Sequence, residues 1–149
     1  LTASHALIFN PKLRRKFHTY LESSELDLGH VFAFLAVEAA YSHGTEWLDQ
    51  CLAYIQGNID YVDEFTKQHT PKIKVIRPQA SFLVWLDCRE MGLSQDALND
   101  FFVDKAHLAL NNGVAFGEEG EGFMRLNVAS PRSVLEKAMK QLADAYAAL

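Results

Sequence analysis

The chain has only two cysteines, Cys51 and Cys88, among its 149 residues. They show neither CxxC nor Cys/His spacing, which excludes a disulfide scaffold and a cysteine-based metal site. Reduced, buried thiols in a cytoplasmic protein are expected instead. The histidines are scattered without HExxH spacing, so no metal site is expected. Long apolar runs are missing too. The stretch 31–41 is interrupted by Glu38 and falls short of the roughly 18 residues that span a bilayer, so it reads as a buried helix and no membrane partner is expected. The start at Leu1 has no basic segment followed by an apolar one, and no Met, as in a truncated or processed chain. Positive charge is also scarce. With 14 Lys and Arg against 19 Asp and Glu, the net charge is −5, which argues against nucleic acid as a partner. The one basic cluster, Lys12, Arg14, Arg15 and Lys16, sits in a helical pattern and reads as a solvated face. GxSxG, P-loop and EF-hand signatures are absent.

What is present is ordinary for a globular chain: 49% hydrophobic and 22% charged residues, with length enough to bury a core. Ala6-Leu7-Ile8-Phe9 reads as a short buried strand. Asn10-Pro11 is an N-cap followed by Pro at N1. The helix it opens runs to about Ser23, with Leu13, Phe17, Tyr20 and Leu21 on a core-facing side. A second helix, 29–42, is apolar nearly all round and expected to be covered on most sides. His43-Gly44 ends it and Thr45 caps a long third helix, 46–67. Leu48, Leu52, Ile55, Ile59 and Val62 form the stripe of that helix, and Gly57 at its centre permits a bend or close packing.

The pattern changes at Pro71. An extended 73–76 precedes a strand over 81–87 with apolar residues on both sides, as in a central, covered strand. Ser94 caps a helix to about Asp104. A strand is expected over 107–110, a turn at Asn111-Asn112-Gly113, an acidic loop over 117–122, a strand over 123–128, and a last helix opened by Ser130-Pro131. Val134, Leu135, Ala138, Met139, Leu142 and Tyr146 form its inner face. The second half thus reads β-β-α-β-β-α, helices packed on a small sheet.

Arg125 is the sharpest candidate for chemistry. Alternation along its strand places Met124, Leu126 and Val128 on one face, and Phe123, Arg125 and Asn127 on the other. A guanidinium so placed wants an anionic partner and suits a carboxylate bidentately. That partner is either internal, with Asp87 on a neighbouring strand as the candidate, or a ligand. The loop Gly117-Glu118-Glu119-Gly120-Glu121-Gly122 just before the strand reads as a solvated turn.

The stretch Gly122-Phe123-Met124-Arg125-Leu126-Asn127-Val128-Ala129-Ser130-Pro131-Arg132 resembles the C-terminal motif of pyridoxal-phosphate (PLP) enzymes of aminotransferase class I/II, fold type I. The subgroup it most resembles is the cystathionine β-lyase-like MalY/PatB group. Ala80-Ser81-Phe82-Leu83-Val84-Trp85-Leu86-Asp87, then Ala109-Leu110-Asn111-Asn112-Gly113-Val114-Ala115-Phe116-Gly117, follow the same family order. Leu1-Thr2-Ala3-Ser4-His5 with Asn10-Pro11 resembles the segment just after the cofactor lysine. The resemblance implies an α/β chain: residues 1–45 as the remnant of a large PLP-binding domain, 46–70 as a long interdomain helix, and 71–149 as an α+β C-terminal small domain on a mostly antiparallel sheet. It implies substrate binding by Arg125 through the α-carboxylate of a small amino acid. It also implies a PLP-dependent C–S lyase acting on sulfur amino acids, homodimeric and cytoplasmic when full length. An aminotransferase of the same fold and a non-catalytic regulatory or interaction module are the alternatives. The Schiff-base lysine is expected upstream of Leu1, since none of the eight lysines has the family setting. No catalytic or cofactor-binding residue is therefore expected within the chain, which alone should bind no PLP and be inactive.

Overall fold

A computed structural model describes residues 3–27 and 29–149. The expected family segment at Leu1-Thr2 lies outside them. The chain divides into two compact units, Leu1–Gln50 and Cys51–Leu149.

The first unit holds α1 (Pro11–Ser23), α2 (Val31–His43) and the first turns of α3 (Thr45–His69). Asn10 caps α1 as expected, its side-chain oxygen accepting from the Lys12 and Leu13 amides at 3.0 and 3.1 Å. The expected burial does not follow. Residues 6–9 form no strand, and Leu7 and Phe9 are exposed, since no ladder partner lies beside them among the described residues. Leu13, Phe17 and Tyr20 are exposed, and α1 buries no residue. Along α2 only Ala33 is buried, while Val31, Phe32, Phe34, Leu35 and Tyr41 face outward. Apolar periodicity says which surface favours cover; it does not supply the cover.

The second unit is built on a four-stranded sheet of β1 (Lys74–Ile76), β2 (Leu83–Asp87), β3 (Asn111–Asn112) and β4 (Phe123–Asn127). The strand order is β1-β2-β4-β3, and every pair is antiparallel. With α4 (Gln95–Asp100) and α5 (Arg132–Ala147) the order is β-β-α-β-β-α, as the sequence predicts. One strand moves. No strand forms over 107–110. Asn111 and Asn112, expected in a turn, instead pair with Arg125 and Met124. Ser94 caps α4 by accepting from the Ala97 amide at 3.3 Å, and the helix then passes into a π-helical turn, Phe101–Lys105. Ser130 is not the cap of α5: Pro131 holds that position and makes no side-chain bond.

The core lies on one face of the sheet. Val84, Leu86, Met124 and Leu126 meet Ile59 and Val62 of α3, Leu98 of α4, Phe101 and Phe102 of the π turn, and Leu135, Met139 and Leu142 of α5. Each such side chain contributes about 1.5–3 kcal/mol on burial. The stripe of α3 is buried only in its second half, at Ile59 and Val62, while Leu48 and Leu52 are exposed. β2 is central but covered on one face only: Val84 and Leu86 are buried, whereas Leu83, Trp85 and Asp87 are half-buried and Phe82 is exposed. Cys88 is buried as expected, but Cys51 is only half-buried; both are free thiols.

Asn58, fully buried on α3, ties the helix to the end of β4. Its Nδ2 donates to the Val128 and Ser130 carbonyls at 2.8 and 3.1 Å, and its Oδ1 accepts from Arg132 Nε at 2.9 Å. The Arg132 amide donates to the Tyr54 hydroxyl at 2.6 Å, and the Arg132 guanidinium lies 4.7 Å from the Tyr61 ring centre. Further along α3, Asp63 accepts from Lys67 Nζ at 2.9 Å and Arg77 Nη1 at 3.0 Å. Burial pushes its carboxyl up, but these two cations outweigh that and hold it below the usual range.

Candidate functional site

The face of the sheet turned away from the core carries a row of directly opposed residues, one from each strand. Ile76 of β1 pairs with Trp85 of β2, Trp85 with Arg125 of β4, and Arg125 with Asn111 of β3. Opposed residues in antiparallel strands project to the same side. The alternation expected for β4 holds, with Met124 and Leu126 in the core and Arg125 half-buried on the other face.

The internal partner considered for Arg125 is not used. Asp87 pairs with Phe123, two residues along the ladder from Arg125. Its carboxylate is taken by Arg89, through Nε at 2.9 Å and Nη2 at 2.7 Å, and those bonds hold Asp87 below the usual carboxylate range. Among the described residues Arg125 makes no ion pair. Its Nη2 donates to Asn111 Oδ1 at 3.0 Å, and its guanidinium carbon sits 4.2 Å from the centre of the Phe116 ring. Its Nε is enclosed and has no hydrogen-bond partner, an arrangement that costs about 1–3 kcal/mol. Both groups that hold the fork are neutral.

Phe116 belongs to the segment between β3 and β4, and three contacts fix that segment. Asn112 Oδ1 accepts from the Val114 amide at 3.1 Å and from Gln95 Nε2 at 2.7 Å, while Gln95 Oε1 accepts from the Gly122 amide at 2.6 Å. The backbones of Gly113 and Gly120 touch: a Cβ on Gly113 would stand 2.1 Å from the Gly120 carbonyl oxygen, closer than atoms can approach. The acidic stretch expected as a solvated turn is a turn of 3-10 helix, Glu118–Gly120, with its glutamates exposed. Trp85 meets the rings of Phe116 and Phe123 edge-on, at 5.5 and 6.1 Å. A cleft of about 300 Å³ is lined by Ile76, Trp85, Phe116, Glu119, Gly120 and Phe123; Arg125 is not part of its wall, but its neighbours Trp85 and Phe116 are. Its wall is mostly aromatic and aliphatic, with Glu119 as the one charged residue. Periodicity located Arg125; it could not find Asn111 or Phe116, which meet it only through the strand pairing and the loop.

All eight lysines are exposed, and among the described residues no group of His, Cys, Asp and Glu could hold a metal ion. No helix of the described residues is long and apolar enough to cross a membrane.

No family profile matches the sequence. Individual proteins do. The chain is 37% identical over 142 residues to cystathionine beta-lyase PatB of Bacillus subtilis (strain 168), covering 95% of this chain and 37% of that protein. It is 33% identical over 150 residues to protein MalY of Escherichia coli (strain K12), covering 100% of this chain and 38% of that protein. Among solved structures, cystalysin of Treponema denticola, which contains a pyridoxal 5'-phosphate cofactor, superposes with a TM-score of 0.84 at 30% identity, over 93% of this chain and 35% of that one. The second unit, with its helices on a small antiparallel sheet, has the small-domain architecture of that fold. In sequence and in fold the chain belongs to the MalY/PatB cystathionine β-lyase group of the aminotransferase fold, and it spans little more than a third of the length of the relatives it matches.

Proposed function

We propose that the protein carrying this chain is a PLP-dependent β C–S lyase acting on sulfur amino acids, and that Arg125 binds the substrate α-carboxylate. The observation that carries the reading is the half-buried guanidinium on the open face of the sheet, held by the neutral Asn111 and Phe116 and without an ion pair among the described residues. A carboxylate docked on that fork gains two charge-assisted hydrogen bonds in a half-buried setting. Anchoring the carboxylate fixes the rotation about the substrate's Cα, and so selects the bond presented for cleavage. The cofactor, when bound, supplies an electron sink for charge at Cα. In the family order the lysine that holds it precedes the segment matching Leu1, so residues 1–149 supply substrate binding and no proton-transferring group. The proposal includes a large-domain portion over 1–45, a connecting helix over 46–70 and a small domain over 71–149, in an assembly that is a cytoplasmic homodimer.

The test is Arg125→Ala in the full-length protein. KM for amino-acid substrates rises by the equivalent of about 2–4 kcal/mol, with a smaller effect on kcat. An unchanged KM sinks the role. Residues 1–149 alone, incubated with pyridoxal phosphate, should develop no protein-bound cofactor absorbance. A single borohydride-trapped lysine adduct would show that the chain holds the cofactor after all. Pyruvate and ammonia as products identify a lyase, whereas a keto acid that retains the side chain identifies the aminotransferase alternative.

A further inference from the structure

We infer that Asn111 and Phe116 are positioning residues for Arg125, fixing the plane and the open edge of its guanidinium before a carboxylate arrives. The inference rests on the reading of Arg125 as the carboxylate clamp and deepens it. A guanidinium carries its five N–H bonds in one plane, so a ligand oxygen must approach within that plane. The guanidinium carbon lies over the Phe116 ring, 4.2 Å from its centre, a contact that restrains the plane. The bond from Nη2 to Asn111 Oδ1, 3.0 Å, sets the rotation within it. The enclosed, unpartnered Nε closes the side edge formed by Nε and Nη2. Nη1 has no hydrogen-bond partner among the described residues, and the edge it forms with Nη2 has the spacing of the two oxygens of a carboxylate.

Each positioning group is itself held. Asn111 pairs with Arg125 in the ladder, and Phe116 is met edge-on by Trp85, the other strand neighbour of Arg125. Both groups are also neutral. Asn111 supplies an acceptor oxygen without a charge, so it orients the fork and leaves the full positive charge for the ligand. An aspartate at the same place would fill the clamp from within.

The experiment compares Asn111→Asp, Asn111→Ala, Phe116→Leu and Arg125→Ala in the full-length holoenzyme. It measures KM and kcat, Tm, and the inhibition constants of propionate and its neutral analogue propionamide. Asn111→Asp is expected to raise KM and the propionate constant about tenfold or more, because a charged partner competes with the ligand. The fall in kcat should be smaller, the propionamide constant unmoved, and Tm unchanged or higher through the new ion pair. Asn111→Ala and Phe116→Leu should weaken propionate several-fold in the same pattern, which keeps the test open should the aspartate variant fail to fold. If Arg125→Ala weakens propionate while the Asn111 and Phe116 variants leave it unchanged, the positioning roles fall and the clamp stands. If Arg125→Ala has no effect, the clamp reading falls and this inference with it. A rise in KM for the Asn111 and Phe116 variants that tracks a loss of Tm, with propionamide weakened equally, marks a structural role only and also overturns the inference.

Discussion

Asn58 on α3 and Val128 at the end of β4, seventy residues apart in sequence, are joined by a 2.8 Å hydrogen bond from a fully buried side-chain amide to a backbone carbonyl. The same amide reaches the Ser130 carbonyl and accepts from Arg132, so one side chain satisfies three polar groups around the turn that leads from the Arg125 strand into α5. Replacing Asn58 by Leu keeps the volume but strands those groups. Each unsatisfied partner costs about 1–3 kcal/mol. Urea unfolding of the natural protein should show a loss of a few kcal/mol, with Asn58→Asp no better, because a carboxylate cannot donate.

Gly113→Ala tests the loop that carries Phe116. The added methyl would meet the Gly120 and Phe123 carbonyl oxygens at 2.1 and 2.5 Å, so the β3–β4 connection must move. A loss of about 1–3 kcal/mol is expected, as for overpacking elsewhere, together with weaker propionate inhibition as Phe116 leaves Arg125. Stability and propionate inhibition both unchanged would show that the two glycine backbones do not need to touch.

Asp63 sets an acid limit. Its folded pKa lies below the ordinary value, because Lys67 and Arg77 outweigh the effect of burial. A lowered folded pKa contributes stability that is present above the unfolded value, about 3.9, and that is lost as pH falls through the folded one. Asp63→Asn should therefore lower Tm at pH 7, and the difference from the parent should shrink as the pH falls below about 4. A difference that persists at low pH would show that the charge of Asp63 is not the cause.

Cys88 should behave as an inert thiol. It is buried, and burial followed by the nearby Asp87 charge pushes its pKa up to about 12. Iodoacetamide at neutral pH should leave it unlabelled in the native protein and label it after denaturation. Native labelling at a rate typical of a free thiol would mean that this part of the core opens.

The parts of the fold that were legible in the sequence are those written locally. Two-residue alternation placed Arg125 on the face opposite Met124 and Leu126, and the order of strands and helices after Pro71 follows from short apolar runs and caps such as Ser94. The two-residue strand Asn111–Asn112 was not legible, because polar asparagines look like a turn until β4 is there to pair with them. Asn58 was hidden for a related reason: its partners are all contributed by a distant turn. The exposed apolar faces of α1 and α2 show the opposite error. α1 has a real apolar stripe and α2 is apolar nearly all round, yet among the described residues these surfaces are left largely uncovered.

The row Ile76, Trp85, Arg125, Asn111 has a consequence for folding fidelity. A strand offset by one residue exchanges its two faces. For β4 that would carry Arg125 into the layer occupied by Val84, Leu86 and Met139 and bring Met124 out to solvent. Driving an unpaired guanidinium into that layer is far more costly than misplacing an apolar residue. The Arg125 charge therefore proofreads the sheet, since a chain that closes in the wrong register must desolvate it.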